Sequence, residues 1–243
     1  FKLWQHLPFG KPQPNRTYTV SCDISQGMGA SNSTLVVTDD KLGEKVGEWA
    51  NPFTMPHDFA GLAVAVCRFY HDIAGRPALL AWESNGPGRV FGKCVEDQGF
   101  TDVWYEQDER TVAGWSSTAE KKLILLGSYK AAQMDSHYVE RSRECVTEQR
   151  NYVIVADGTI SYVDTTGIID PSGAKDNHGD RVIATALGHH VSKCRRIEEK
   201  TKEAEYQEGS RGWFNQIRAE KLDREKRPRR RIWIRCRHAL KPR

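Results

Sequence analysis

The order of its apolar segments constrains this chain most. Three short runs rich in β-branched residues follow one another closely, and later segments alternate between helical and strand-like periods. The runs are Thr17 to Asp23 (TYTVSCD), Ser33 to Thr38 (STLVVT) and Lys45 to Ala50. Only the Gly/Ser/Asn-rich stretch Ser25 to Asn32 and the turn Asp39 to Gly43 separate them. Connections that short predict an antiparallel meander. After Pro56, the apolar residues Phe59, Leu62, Ala63, Val66, Cys67 and Tyr70 recur at helical spacing. The unbroken apolar run Ala78 to Trp82 then reads as a strand buried on both faces.

The rest of the chain extends that pattern. A second helix is expected from about Gly88 to Asp97, a short strand at Asp102 to Tyr105, and a helix from about Ala119 to Gln133. Tyr152 to Val155 and Thr159 to Val163 flank Asp157-Gly158, a hairpin signal. A final core helix covers about Asn177 to Val191. The order β-β-β-α-β-α-β-α predicts an α/β fold of RNase H-like architecture: a mixed sheet flanked by helices, with an added β-hairpin. Residues 1–16, with three prolines, read as an entry linker, and 17–192 as the folded body. Residues 193–243 read as a charged basic tail, helical and highly charged over Glu198 to Glu208. The chain opens on Phe1-Lys2-Leu3-Trp4, with no initiator Met and no signal-peptide pattern, so it is expected to be a piece of a longer protein.

Charge separates the body from the tail. Residues 193–243 hold 18 Lys/Arg and 8 Asp/Glu, a net of +10, against −6 for residues 1–192. An acidic body with a basic tail points to a polyanion reached through the tail, or to a solvated extension. The tail includes KRPRRR (Lys226 to Arg231), so Arg227, Arg229, Arg230 and Arg231 are candidate DNA contacts. No apolar run approaches the roughly 20 residues that span a bilayer. The six cysteines show no CxxC spacing, which argues against structural zinc and favours free thiols. There is no GxxxxGK[ST], GxSxG, HExxH or strand-following GxGxxG, so no ATP site is expected in this chain.

Three carboxylates stand out by position. Asp23 ends the first strand and Glu83 ends the apolar run Leu79-Leu80-Ala81-Trp82. If those strands are parallel neighbours, both acids reach one crevice at the sheet's carboxyl end. Asp180 falls in the first turn of the final helix, with Asp176 four residues earlier as its expected N-cap and His178 between them. Clustered acids repel and raise one another's pKa values, and hard divalent cations remove that cost. Two Mg²⁺ or Mn²⁺ ions in such a site can activate water and stabilise the leaving oxygen of a phosphodiester. Gly27, Gly29, Gly86 and Gly88 would let a phosphate backbone approach.

At this point the chain resembles the C-terminal nuclease domain of the large terminase subunit of tailed bacteriophages. The matching segments are YTVSCDISQGMGASNSTLVV (Tyr18 to Val37), LLAWESNGPG (Leu79 to Gly88), GWSSTAEKKLILL (Gly114 to Leu126), NYVIVADGTI (Asn151 to Ile160) and DNHGDRVIATAL (Asp176 to Leu187). The resemblance implies a fold like RNase H and RuvC-type resolvases. It implies two-metal cleavage of concatemeric double-stranded viral DNA during genome packaging, in the host cytoplasm. It also implies an ATPase motor domain preceding this one, and the portal and small terminase subunit as partners. The family's acidic triad falls on Asp23, Glu83 and Asp180, and its basic residue on Lys122, with Lys121 adjacent. Where many members carry two adjacent acids, Gly179 precedes Asp180 here, and Asp176 is the nearest substitute. Two other readings fit the same residues: a Holliday-junction resolvase or transposase-like nuclease, and a DNA- or portal-binding module with weak nuclease activity.

Overall fold

The computed structural model describes residues 1–205 without 14, 107–112, 157, 165–166, 168–169 and 177, and for 197–205 it describes the backbone alone. Strands β1 (Lys2–Leu3), β2 (Tyr18–Asp23), β3 (Ser33–Asp39), β4 (Glu44–Asn51) and β5 (Leu79–Trp82) form one sheet in the order β1-β4-β3-β2-β5. β2, β3 and β4 are the expected antiparallel meander, and β5 joins β2 in parallel. The sheet is therefore mixed, as the sequence predicts.

Two layers of helix cover it. On one face, α1 (Pro56–Phe69) and α2 (Pro87–Asp97) pack Phe59, Val64, Phe91 and Val95 against Val20, Cys22, Leu35, Leu80 and Trp82. On the other, α3 (Ala119–Met134) and α5 (Asp180–Glu205) pack Leu125, Tyr129, Ile183 and Leu187 against Leu79 and Ala81. Side chains alternate across a strand, so Leu80 and Trp82 enter one core while Leu79 and Ala81 enter the other. Burial on both faces explains why this run shows no polar alternation. A separate hairpin, β6 (Tyr152–Ile154) with β7 (Ile160–Tyr162), stands beside α3 and the turn that leads into α5; Asp157 lies outside the described residues.

The structure departs from expectation in several places. Within the segment read as an entry linker, β1 pairs with the edge of β4, and Gln5 Nε2 donates to the Tyr18 hydroxyl. At Asp102 to Tyr105, Val103 and Tyr105 make isolated bridges to Leu80 and Gly114 instead of a strand. A short helix, α4 (Arg143–Gln149), appears where none was expected, capped by the Ser142 hydroxyl accepting from the Cys145 amide. The last core helix does not stop near residue 191: α5 runs unbroken to Glu205 and absorbs the start of the charged segment. Cys22, Cys67, Cys94 and Cys145 carry free thiols. Among the described residues, no helix is long and apolar enough to cross a membrane.

Candidate metal centre

The parallel register brings the first two acids together. β2 and β5 pair Thr19 with Leu79, Ser21 with Ala81 and Cys22 with Trp82, and the Glu83 amide donates to the Cys22 carbonyl at 3.1 Å. The next pair in that register is Asp23 and Glu83. Alternation puts both on the face of Ser21 and Ala81, which is the face α5 covers.

The third acid arrives on α5. The Ser21 hydroxyl donates to the Ala184 carbonyl at 2.7 Å, and a Cβ on Gly188 would meet Ser21 Oγ at 2.6 Å. Ala184 and Gly188 thus let the helix axis lie close to the sheet. Asp180 is one turn earlier on the same helical stripe, at the helix's first residue. Its Oδ2 accepts from the Asn32 amide at 2.6 Å, which ties it to the loop entering β3.

The electrostatics follow from the grouping. Burial, then Asp180, then Glu83 push the Asp23 carboxyl well above its usual range, while Lys122 pulls it down. Burial raises Glu83, with Ser117 and Lys122 opposing. Burial and then Glu148 push Asp180 up to about 7, partly offset by the Asn32 amide and Arg181. Among the described residues, no three His, Cys, Asp or Glu side chains are grouped closely enough to share one ion. Asp23 is the acid whose carboxyl feels both others.

The surroundings hold the start of α5, and with it Asp180, in place. Arg181 is buried and spends its charge on Glu148, at 2.6 Å from Nη1 to Oε1, and on Asp170. Glu148 Oε2 also accepts from the Arg181 and Val182 amides, capping α5. A carboxylate there satisfies otherwise orphaned helix-start amides. Further in, Lys45 is fully buried between Glu48 (2.8 Å) and Glu140 (2.9 Å). None of these partners was singled out from the sequence.

Lys122 and Tyr152 form the remaining wall. The Thr118 hydroxyl caps α3, so Lys122 sits in its first turn, with its Nζ 5.4 Å from the Tyr152 ring centre. The Tyr152 hydroxyl donates toward the carbonyls of His178 (3.2 Å) and Gly179 (3.3 Å). Gly179 has φ +78°, and a Cβ there would meet the Tyr152 ring at 2.6 Å. An acid at 179 would be strained and would clash, which accounts for the single acid at this helix start.

Other expected residues fall elsewhere. Lys121 turns from the acids and pairs with Glu106 at 3.0 Å. Asp176 is not the N-cap of α5: it precedes the helix by four residues, is exposed, and its amide donates to the Ala30 carbonyl. The His178 side chain is exposed. Three of the four glycines serve the protein's own packing, since a Cβ would meet Thr54 at Gly27, Phe53 at Gly29 and the Glu83 carbonyl at Gly88. Gly86 alone of the four faces open space, with φ +49°. Arg227, Arg229, Arg230 and Arg231 lie outside the described residues.

No protein-family model and no curated protein matches the sequence. Solved structures do match the fold. The large terminase nuclease from thermophilic phage G20c with bound magnesium is similar over 74% of this chain and 84% of that one, with TM-score 0.56 and 16% identity. The same nuclease with bound cobalt gives the same values, and with bound zinc a TM-score of 0.51 at 15% identity. The Thermus phage P74-26 large terminase nuclease domain matches over 74% of this chain and 81% of that one, with TM-score 0.53 and 15% identity. This chain therefore has the RNase H-like fold of large terminase nuclease domains.

Proposed function

We propose that this chain is a divalent-metal-dependent endodeoxyribonuclease that cuts concatemeric double-stranded viral DNA during phage genome packaging. The observation that carries the reading is the convergence of Asp23, Glu83 and Asp180 from two strand ends and a helix start, with all three carboxyls raised. Three hard oxygen donors, mutually repelling and accompanied by one nearby Lys, fit Mg²⁺ or Mn²⁺ better than a proton or an organic cofactor. The G20c nuclease, of the same fold, has been solved with magnesium, cobalt and zinc.

In this reading Asp23, Glu83 and Asp180 would hold the ions, with Asp23, which feels both other acids, at the centre of the set. The ions, when bound, supply an activated water and offset charge on the phosphate. The chain's own contribution is placement. β2 and β5 fix Asp23 and Glu83 through backbone pairing, and the capped start of α5 fixes Asp180. Lys122 faces the acids from α3 and is the group suited to meet the incoming phosphate. The packing role follows the same fold match, with an ATPase motor domain, portal and small terminase subunit as partners, in the host cytoplasm. The solved counterparts being terminase nucleases favours this substrate over a four-way junction.

The test is cleavage of supercoiled plasmid in Mg²⁺ or Mn²⁺. Asp23→Asn and Asp180→Asn are each expected to lower the rate at least ~10³-fold, within the range of catalytic electrostatic terms, while keeping the wild-type circular dichroism spectrum. Wild-type rates in either variant sink the proposal.

A further inference from the structure

Among the described residues, several buried side chains on the α5 side of the sheet have no hydrogen-bond partner, and two of them stand next to the acids. Asn32 is 1% exposed, and both its Oδ1 and its Nδ2 are unpaired. Thr34 is fully buried, and its Oγ1 is unpaired as well. Buried polar groups nearly always find partners, so each orphan asks for a reason.

Their positions supply one. Thr34 is the antiparallel register partner of Asp23, and such partners share a face. Asn32 immediately precedes β3. The face shared by Thr34 and Asp23 is that of Ser21 and Thr38, whose hydroxyls lie against α5 at Ala184 and Gly188. The Asn32 amide holds Asp180 Oδ2 at 2.6 Å. Of the two unpaired residues, Thr34 thus stands opposite Asp23 and Asn32 is tied through its backbone to Asp180. The Glu83 end differs, because Glu83 has Ser117 as a hydrogen-bond partner.

We infer that Asn32 and Thr34 hold the hydration shell of the cation bound between Asp23 and Asp180. This rests on the metal-site reading given above. Small divalent cations shed water reluctantly and keep several molecules when few protein ligands are present. Those waters need acceptors and donors beyond the ion. A carboxamide oxygen and a hydroxyl beside the two carboxylates provide them, and in return lose their own unpaired state. Asn32 then acts twice: its backbone amide orients Asp180, and its side chain steadies the shell of the ion that Asp180 binds. Both are positioning residues, acting through the ion's waters.

The test uses the full chain, with Mn²⁺ titrated calorimetrically and melting followed in EDTA. The variants are Thr34→Val and Asn32→Leu, close in shape to the originals, with Asp23→Asn as the control. Loss of such surrounding hydrogen bonds typically weakens metal affinity by ~10–100-fold. A weakening of that size is expected in each variant, at a melting temperature in EDTA equal to or above wild type. The rise follows because an unpaired buried polar group has been removed. If both variants bind Mn²⁺ as wild type does while Asp23→Asn has lost a site, this inference is overturned and the metal site stands. If Asp23→Asn itself binds Mn²⁺ unchanged, the metal-site reading fails, and this inference with it.

Discussion

Asp23 and Glu83 each come directly after a member of the last parallel pair of β2 and β5, Cys22 and Trp82, which are buried in the opposite core. Their proximity is thus a property of the backbone ladder and does not depend on loop conformation. Strand spacing sets them about 5 Å apart at the Cα level. Two carboxylates fixed at that distance must protonate, repel or share a cation.

The first prediction concerns pH. Asp180 is pushed up to about 7 and Asp23 is also raised, both chiefly by burial. An unfolded Asp titrates near ~3.9. The folded state therefore binds these protons more tightly, so their stabilising contribution is complete below about pH 4 and lost as pH rises through about 7. In EDTA the melting temperature should fall between pH 5 and pH 8. Asp180→Asn should flatten that fall, and saturating Mg²⁺ should shrink it. A melting temperature that rises over this interval in EDTA contradicts the assignment.

A second prediction concerns Gly179. Its φ of +78° and the Tyr152 ring beside it leave no room for a side chain. Gly179→Ala should cost about 1–3 kcal/mol of stability, the usual range for a strained backbone position, measurable by urea denaturation. Plasmid cleavage should drop as well, because the turn that aims Asp180 must shift. Gly127→Ala, inside α3 with open space around it and an ordinary helical backbone, should leave folding at or slightly above wild type.

The buried charges under α5 give a third. Arg181 is 3% exposed and bonded to Glu148 and Asp170. Removing one partner from a buried pair leaves an uncompensated charge, at a cost of about 3–5 kcal/mol. Arg181→Leu should lose stability on that scale in chemical denaturation. A loss under ~1 kcal/mol would place this network among minor contributors.

Much of the fold was legible because it is local. The β-branched runs ending on Asp23 and Ser33-to-Asp39, and the apolar run ending on Glu83, carry their strand character in consecutive residues. α1 and α3 are long enough for helical periodicity to show. α4 is only seven residues, too short to display a period, although Ser142 and Glu144 do mark its start. The position of Asp176 was misread for a related reason. Closeness in sequence suggested one helix, but the chain between Asp176 and Asp180 turns through Gly179 first.

The supporting residues were illegible for a different reason. Glu148 meets Arg181 across 33 positions, and Asn32 meets Asp180 across 148. Such contacts leave no local signature. Tyr152 looked like an ordinary strand aromatic, and only the packed hairpin shows it between Lys122 and Gly179. The glycines mark the opposite error. Gly27, Gly29 and Gly88 suggested room for a phosphate, yet their missing side chains make room for Thr54, Phe53 and the Glu83 carbonyl.

The most direct test of the central claim is a crystal soaked in Mn²⁺, with anomalous scattering recorded at the manganese edge. Two peaks are predicted beside Asp23, one shared with Glu83 and one with Asp180. Well-ordered carboxylates with no anomalous peak among them, at a Mn²⁺ concentration that supports cleavage, would contradict it.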